Sequence, residues 1–150
     1  MKFSFKTNIH EFTEGLKEQV EQAASQLGAE MGQAAVTLIQ KRAGEGVGLY
    51  DEPMPELSAV YRTAKENSGR RGVRNLTYTG AMLRDIIADP PERTATGILV
   101  RIRFATAQQR YKAAANQARS PWFGLSASDR KTLLLIGQSR LAAILRGQGK

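Results

Sequence analysis

The first third of the sequence carries an apolar repeat with helical spacing, and this repeat constrains the fold more than any other feature. Apolar residues recur at steps of three and four, a pattern typical of one amphipathic helix. The stripe consists of Phe12, Leu16, Val20, Ala23, Leu27, Met31, Ala34 and Leu38. A helix unbroken from about Ile9 to Ala43 is ~50 Å long, which exceeds the width of a compact domain of this size. We therefore expect it to protrude, to bend or to pack on a neighbour.

Two short signals precede this helix. Phe3 and Phe5 alternate with polar residues, which predicts a short strand. Asn8 is followed three residues later by Glu11, which predicts a capping pair at the helix start.

A row of small residues lies within the same helix. Ala24, Gly28 and Gly32 recur at i, i+4 and i+8. Two interpretations stay open: the missing side chains admit another backbone, or the glycines are tolerated at ~1 kcal/mol each relative to alanine.

The next segment reads as a loop followed by two helices. "GEGVGLYDEPMPELS" is rich in Gly and Pro, and a helix is expected to begin at Pro55 and to stop at Gly69. Its predicted apolar face consists of Leu57, Val60, Tyr61 and Ala64. After the cationic link "RRGVRN", Thr79 is placed to cap a short helix that directs Met82, Leu83 and Ile86 inward.

The segment "IADPPERTATGILVRIRFAT" predicts a hairpin, with Pro90 and Pro91 at an edge or bend. Apolar residues then alternate with largely cationic ones at period two. The apolar set is Ile98, Val100, Ile102 and Phe104, and the intervening set is Leu99, Arg101 and Arg103. The two arginines lie ~7 Å apart along a strand, and either they contact phosphate or an acidic partner, or they face solvent.

Two further helices and an aromatic connector complete the chain. A helix is expected from Thr106 to Arg119, and Ser126 with Asp129 predicts a capping box for the last helix. The expected buried face of that helix is Leu133, Leu134, Ile136, Leu141, Ile144 and Leu145. In the connector, Pro121 stiffens the chain, Gly124 permits a turn, and Trp122 and Phe123 can each bury ~150 to 250 Å². These rings pin the connector either to the core or to a partner.

Composition excludes several classes of site. With 150 residues the chain is expected to form one domain, residues 1–150. It has no cysteine, and His10 is its single histidine, so thiolate sites, His-pair metal sites and Ser-His triads are excluded. No phosphate-binding loop, nucleophile elbow or paired-carboxylate motif is present. We expect no enzyme, no cofactor, no metal and no membrane partner.

Charge divides the chain in two. Residues 1–69 hold 7 Lys/Arg and 10 Asp/Glu, or −3, whereas residues 70–150 hold 15 and 4, or +11. Opposite halves of neighbouring copies could attract each other, the basic half could face nucleic acid, or the charge could only aid solubility. The cations singled out as candidate contacts to DNA or to an acidic partner are Arg70, Arg71, Arg74, Arg101 and Arg103.

Three ordered segments resemble the phage virion-morphogenesis family, the tail-completion and neck proteins of tailed bacteriophages. "LTYTGAML" matches through Leu76, Thr77, Thr79, Gly80 and Met82. "ARSPWFGLSASD" matches through Arg119, Pro121, Trp122, Phe123, Gly124, Leu125, Ser126 and Asp129. An earlier segment matches through Leu57, Ser58, Tyr61 and Lys65. The resemblance covers roughly residues 38–145, in order and spacing.

The resemblance implies a small α+β ring subunit, in which a long N-terminal helix, further helices and a C-terminal helix pack on a small antiparallel sheet. The ring would lie at the head-tail junction of a virion assembled in the host cytoplasm. Its implied partners are six or twelve copies of itself, head connector or adaptor proteins, tail tube or tail terminator proteins, and genomic DNA that passes through. The alternative function is non-specific nucleic-acid binding by the basic C-terminal half.

Overall fold

The computed structural model of the chain describes residues 5–76 and 80–147, with side chains from residue 17 onward. The architecture is α+β, as predicted. The helices are α1 Phe5–Gly44, α2 Ala59–Asn67, α3 Ala81–Arg84, α4 Ala107–Arg119 and α5 Ala127–Gly147. The strands are β1 Ile86–Ala88, β2 Glu92–Thr94, β3 Gly97–Leu99 and β4 Ile102–Phe104.

Helix α1 is continuous over 40 residues, or ~60 Å, so the predicted long helix is confirmed. It has already begun at Phe5, which makes both predictions for its start wrong: no cap lies at Asn8, and residues 5–7 are helical. A helix that has nucleated gains one hydrogen bond for each residue added, and this outweighs a brief period-two pattern. Phe3, in the other part of the predicted strand, lies outside the described residues.

The most buried face of α1 differs from the predicted stripe. Ala35, Val36, Ile39 and Ala43 are at most 2% exposed. Of the predicted stripe, Ala23 is buried, Val20 is 55% exposed and the other described members are half-buried. The side chains of Phe12 and Leu16 lie outside the described ones. Helix α1 packs against α5 on one side and against α3, β1 and β3 on another. Because the helix is covered from two directions, a single stripe could not describe its buried surface.

The glycine row of α1 admits the hairpin. A Cβ atom at Gly28 would lie 2.7 Å from Ile98 Cγ2, and one at Gly32 would lie 2.6 Å from Val100 Cγ1. Both distances are far below van der Waals contact. Of the two interpretations, close approach is therefore correct, and the approaching element belongs to the same chain.

The four short strands form one interrupted hairpin. Ala88 pairs with Ile102 on one side of the interruption, and Glu92 pairs with Leu99 on the other. Pro90 and Pro91 lie between these pairs opposite the single residue Val100, so the proline strand contains one extra residue, a β-bulge. The bend predicted at the prolines is confirmed. On the opposite strand Val100, Ile102 and Phe104 are more buried than the arginines between them, as predicted. Ile98 and Leu99 are both exposed, at 36% and 41%, so the predicted alternation does not extend to them.

The α2 segment differs from its prediction. The helix begins at Ala59 rather than at Pro55, because the hydroxyl of Ser58 caps it by accepting from Tyr61 N at 3.4 Å. Its apolar face is not buried, since Val60 is 84% and Tyr61 44% exposed. The stop at Gly69 is confirmed by its positive φ of 71°.

Helix α3 is short and turns its apolar residues inward as predicted. Gly80, in the left-handed conformation, occupies its N-cap position, whereas the predicted cap Thr79 lies outside the described residues. Met82 and Leu83 are buried, and Ile86, also buried, already belongs to β1. The core forms where α1, α3, the hairpin and Trp122 meet.

Helix α4 and the start of α5 agree with prediction, but the buried face of α5 does not. None of the six apolar residues predicted for that face is buried. Leu134, Leu141 and Leu145 are 61%, 41% and 57% exposed, and Leu133, Ile136 and Ile144 are half-buried. Helix α5 packs on α1 along one side only, so its remaining apolar residues have no cover within the described chain.

Candidate assembly site

Arg42 holds together the end of α1, the following loop and the aromatic connector. Its Nε donates to Asp129 Oδ2 at 2.8 Å, and the two side chains are each 6% exposed. One terminal nitrogen donates to the carbonyls of Val47 and Gly48 at 3.2 and 2.6 Å, and the other to those of Trp122 and Gly124 at 3.1 and 2.7 Å. All five N–H groups of the guanidinium therefore have acceptors. We call this arrangement the Arg42 joint.

The predicted capping box begins α5 inside this joint. Asp129 N donates to Ser126 Oγ at 3.0 Å, and Ser126 N donates to Asp129 Oδ2 at 3.1 Å. Asp129 thus accepts from both the cap backbone and Arg42. The start of α5 is consequently tied to the end of α1.

Asp51, in the loop after α1, supports the same helix start. Ser128 donates to it through its backbone N at 3.0 Å and through its hydroxyl at 2.5 Å. The Ser128 hydroxyl first, and then that of Ser126, hold the pKa of Asp51 below its ordinary value. Asp51 has a positive φ of 61°, a conformation that Asp tolerates better than most residues.

The connector aromatics lie against the core, which decides between the two alternatives for them. Trp122 is 0% exposed, and its ring centroid is 6.1 Å from that of Phe104. Phe123, half-buried, stacks on Phe104 at 4.9 Å. Gln117 on α4 fixes the connector backbone, because its Oε1 accepts from the N of Trp122 and of Phe123, each at 2.9 Å.

Exposed apolar residues lie along α5 and near the N-terminal end of the described side chains of α1. Leu134, Leu141 and Leu145 recur at i, i+7 and i+11, so they form one stripe on the helix. Leu135, 60% exposed, and Val20 on α1, 55% exposed, add to the apolar area. We call these five residues the apolar stripe. Leu134, Leu141 and Leu145 lie in one row, and exposed apolar area of this kind marks a site of interaction.

A second surface feature is a groove of about 710 Å³ between α2 and α4, which we call the α2–α4 groove. Four of its lining residues are cationic and none is acidic. The cations are Lys65, Arg74, Lys112 and Arg119. Within the described residues none of them forms an ion pair with a carboxylate. The groove therefore presents uncompensated positive charge.

Lys65 at the floor of this groove is 2% exposed. Its Nζ donates to Asn75 Oδ1 at 2.5 Å and to Val73 O at 2.7 Å. Burial, and secondarily the positive charge of Arg70, lower its pKa from the ordinary value. An anion bound nearby would oppose this effect by favouring the charged ammonium.

The structure brings together most of the predicted assembly residues. Pro121 through Ser126, with Asp129, surround the Arg42 joint, while Met82 and Arg119 line the α2–α4 groove. Gly80 caps α3, and Leu125 packs against the core. Thr79 lies outside the described residues. Most of the predicted residues thus divide between the Arg42 joint and the α2–α4 groove, and Gly80 belongs to neither.

The five candidate contact arginines are not on one surface. Arg101 forms an ion pair with Glu92, and Arg103 forms one with Asp89 at 2.8 Å, so both arginines are already paired within the chain. Arg74 lines the α2–α4 groove, and Arg70 and Arg71 are exposed in the link before it.

The sequence reasoning missed three structurally central residues, Arg42, Gln117 and Asp51, and it named Lys65 only as a match to the phage family. A basic residue in the last turn of a helix, such as Arg42, ordinarily indicates a favourable contact with the helix C-terminus and solvent. Nothing local distinguishes it from Lys41, which is exposed. Only the pairing of distant segments reveals its role.

Two features are absent from the described part of the chain. Among the described side chains, residues 17–76 and 80–147, no group of three acidic or histidine residues is placed to hold a metal ion. In the same ranges no helix has both the length and the apolar character that a membrane span needs.

Comparisons with protein-family models, with curated proteins and with solved structures found no match.

Proposed function

We propose that the chain is a structural virion protein of a tailed bacteriophage that forms a ring at the head-tail junction. In this role it completes the neck or the tail, or terminates the tail, and lets DNA pass. The sequence resemblance to the phage virion-morphogenesis family is the reason for placing the ring at the head-tail junction. The observation that carries the proposal is the apolar stripe, because a subunit with this much apolar surface is stabilised by covering it with another copy.

The free energies of burial and of association indicate how such a subunit assembles. Burying the exposed parts of five aliphatic side chains, each about half exposed, contributes on the order of 5 kcal/mol. Association costs an estimated 4 to 15 kcal/mol in lost freedom. One such contact is therefore weak, whereas a closed ring supplies two contacts for each copy. The Arg42 joint helps by holding α1 and α5 in a fixed relative position before assembly.

The assembly test is the mass and image of the purified full chain, from light scattering and electron microscopy. We expect a closed ring of six or twelve copies. The triple variant Leu134→Ser, Leu141→Ser, Leu145→Ser should be folded by circular dichroism but monomeric. Val60→Ser, on the exposed face of α2, is the matched control and should leave the ring unchanged. A wild-type chain that stays monomeric at high concentration would refute ring formation.

The virion role needs a test of its own. Disruption of the gene in the phage or prophage that encodes it should leave DNA-filled heads and tails unjoined in the lysate. Plasmid-borne wild-type protein should restore joined particles, and the triple serine variant should not. Normal particles without the protein would contradict the virion role.

Non-specific nucleic-acid binding is the second candidate, and it is favoured by the cations of the α2–α4 groove, none of which pairs with a carboxylate among the described residues. It predicts duplex binding by a monomer, with a logarithmic affinity that falls linearly with the logarithm of salt concentration. Fluorescence anisotropy with duplex DNA over a salt series would distinguish it from the ring.

A further inference from the structure

The α2–α4 groove has the size and chemistry to receive an acidic helix. An α-helix 10 to 12 Å in diameter occupies roughly 400 to 600 Å³ for each turn, so the groove accommodates one to two turns. Its lining combines the four cations with apolar and aromatic surface, including Leu57, Met82 and Tyr111. A ligand that satisfies both features is amphipathic and negatively charged.

Within this chain, one helical segment has that character. Residues 11–21 contain four glutamates and one lysine, a net charge of 1 − 4 = −3. By contrast, α4 has three cations and no acid, and α5 has four cations and one acid. Residues 17–20 of the acidic segment are all exposed, whereas Glu21 is half-buried and forms an ion pair with Arg93 at 2.6 Å. Glu18 is therefore the described glutamate of the segment that is open to a partner.

The segment cannot reach the groove of its own copy. Gln40 donates to Leu83 O at 2.9 Å, which fixes the other end of α1 beside the groove residue Met82. Glu18 precedes Gln40 by 22 residues of the same continuous helix, a distance of ~33 Å. The two complementary surfaces are therefore held far apart within one subunit.

We propose that the acidic N-terminal part of α1, residues 11–21, docks in the α2–α4 groove of the neighbouring copy. The inference rests on the proposed ring function and identifies its electrostatic contact. Since the two surfaces differ and lie far apart in one copy, each copy can donate its helix to one neighbour and receive the helix of another, an arrangement that closes into a ring. The contact adds charge complementarity to the apolar stripe and sets the register of neighbouring copies.

Charge reversal on each side of the contact tests the inference. Lys112→Glu in the groove and Glu18→Lys on α1 should each weaken assembly about tenfold in Kd, measured by light scattering and native mass spectrometry. Arg110→Glu is the matched control, because Arg110 lies on the same helix, is exposed, and does not line the groove. It should assemble like the wild type.

Mixing the two variants makes the test specific. A Lys112→Glu copy keeps its acidic helix, and a Glu18→Lys copy keeps its basic groove, so one unaltered contact can form between them. The other contact carries both reversals and is therefore complementary again, so the mixture should recover assemblies of alternating copies that neither variant forms alone. A merely destabilised subunit would not show this behaviour.

The outcomes separate this inference from the ring itself. A wild-type ring that Lys112→Glu leaves intact overturns the docking inference and leaves the ring standing. If Lys112→Glu also abolishes duplex DNA binding while the ring persists, the groove is a nucleic-acid site. A wild-type chain that forms no oligomer overturns both proposals.

Discussion

Arg42 and Asp129 form a buried ion pair 2.8 Å long between residues 87 positions apart in the chain. The pair joins the last turn of α1 to the first turn of α5. Around it, Arg42 also donates to four backbone carbonyls, so one side chain satisfies polar groups from three segments.

Removal of the Arg42 side chain should destabilise the fold strongly. We expect Arg42→Met to lower the free energy of unfolding by about 3 to 5 kcal/mol, because Asp129 is left as a buried charge without its partner. Arg42→Lys should also destabilise, since an ammonium has three donors where the guanidinium has five. Urea denaturation measures both.

The matched control is Arg62→Met. Arg62 pairs with Glu56 at 2.8 Å, but the two side chains are 42% and 89% exposed. Its removal should cost less than about 1 kcal/mol. An equal loss in the two methionine variants would contradict the central role of the Arg42 joint.

Gly32→Ala should destabilise the chain although alanine is the better helix former. A Cβ there would lie 2.6 Å from Val100 and 3.0 Å from Ala88, and the branched Val100 side chain has little freedom to move. Overpacking should cost about 1 to 3 kcal/mol, which exceeds the ~1 kcal/mol gained in helix propensity. The midpoint of urea unfolding reports the balance.

Gly137→Ala on α5 is the control for this substitution. Its Cβ would lie 3.0 Å from Met31 Cε, the end of a flexible side chain that can shift. We expect a change between zero and a stabilisation of about 1 kcal/mol. If Gly32→Ala stabilised the chain by the same amount, the hairpin would not be packed closely against α1 at this position.

Gln117→Ala should loosen the aromatic connector. The substitution leaves the backbone N of Trp122 and of Phe123 without their acceptor, at about 1 kcal/mol each. We expect a loss of about 2 kcal/mol in the free energy of unfolding and a change in Trp122 fluorescence. Gln108→Ala, at an exposed position of the same helix, should change neither quantity.

Asp51 should make stability depend on acid pH. Its pKa is lower in the folded chain than the ordinary value of 3.8, so the unfolded chain binds more protons as the pH falls through this range. The contribution of Asp51 is present above pH 3.8 and is lost as the pH falls through the folded pKa. The substitution Asp51→Asn removes the charge, and Asn tolerates the positive φ of this position as Asp does.

Thermal unfolding of the wild type and of Asp51→Asn, over roughly pH 2 to 6, measures this dependence. The difference in stability between them should be largest at the upper end and should shrink toward the lower end. Ser128→Ala should also make stability depend less on pH, because the Ser128 hydroxyl is the main cause of the lowered pKa of Asp51. A difference that stays constant with pH would contradict the assignment.

Local signals in the sequence predicted the elements of the fold well. The capping box of Ser126 and Asp129, the stop at Gly69 and the proline bend depend on residues within a few positions of one another, and all three are confirmed. Hydrophobic periodicity likewise predicted α1, because a run of over thirty residues averages out individual exceptions.

Apart from the starts of α1 and α2, the sequence by itself thus determined which segments are helix, strand and turn, since caps, glycines and periodicity act over one or two turns of chain. Only the tertiary structure decided which faces are covered. The apolar residues of α5 have the same pattern whether they meet a core or a neighbour, and Arg42 differs from Lys41 only in what distant segments bring to it. Burial and ion pairing depend on contacts across tens of residues, and these exist only once the chain has folded.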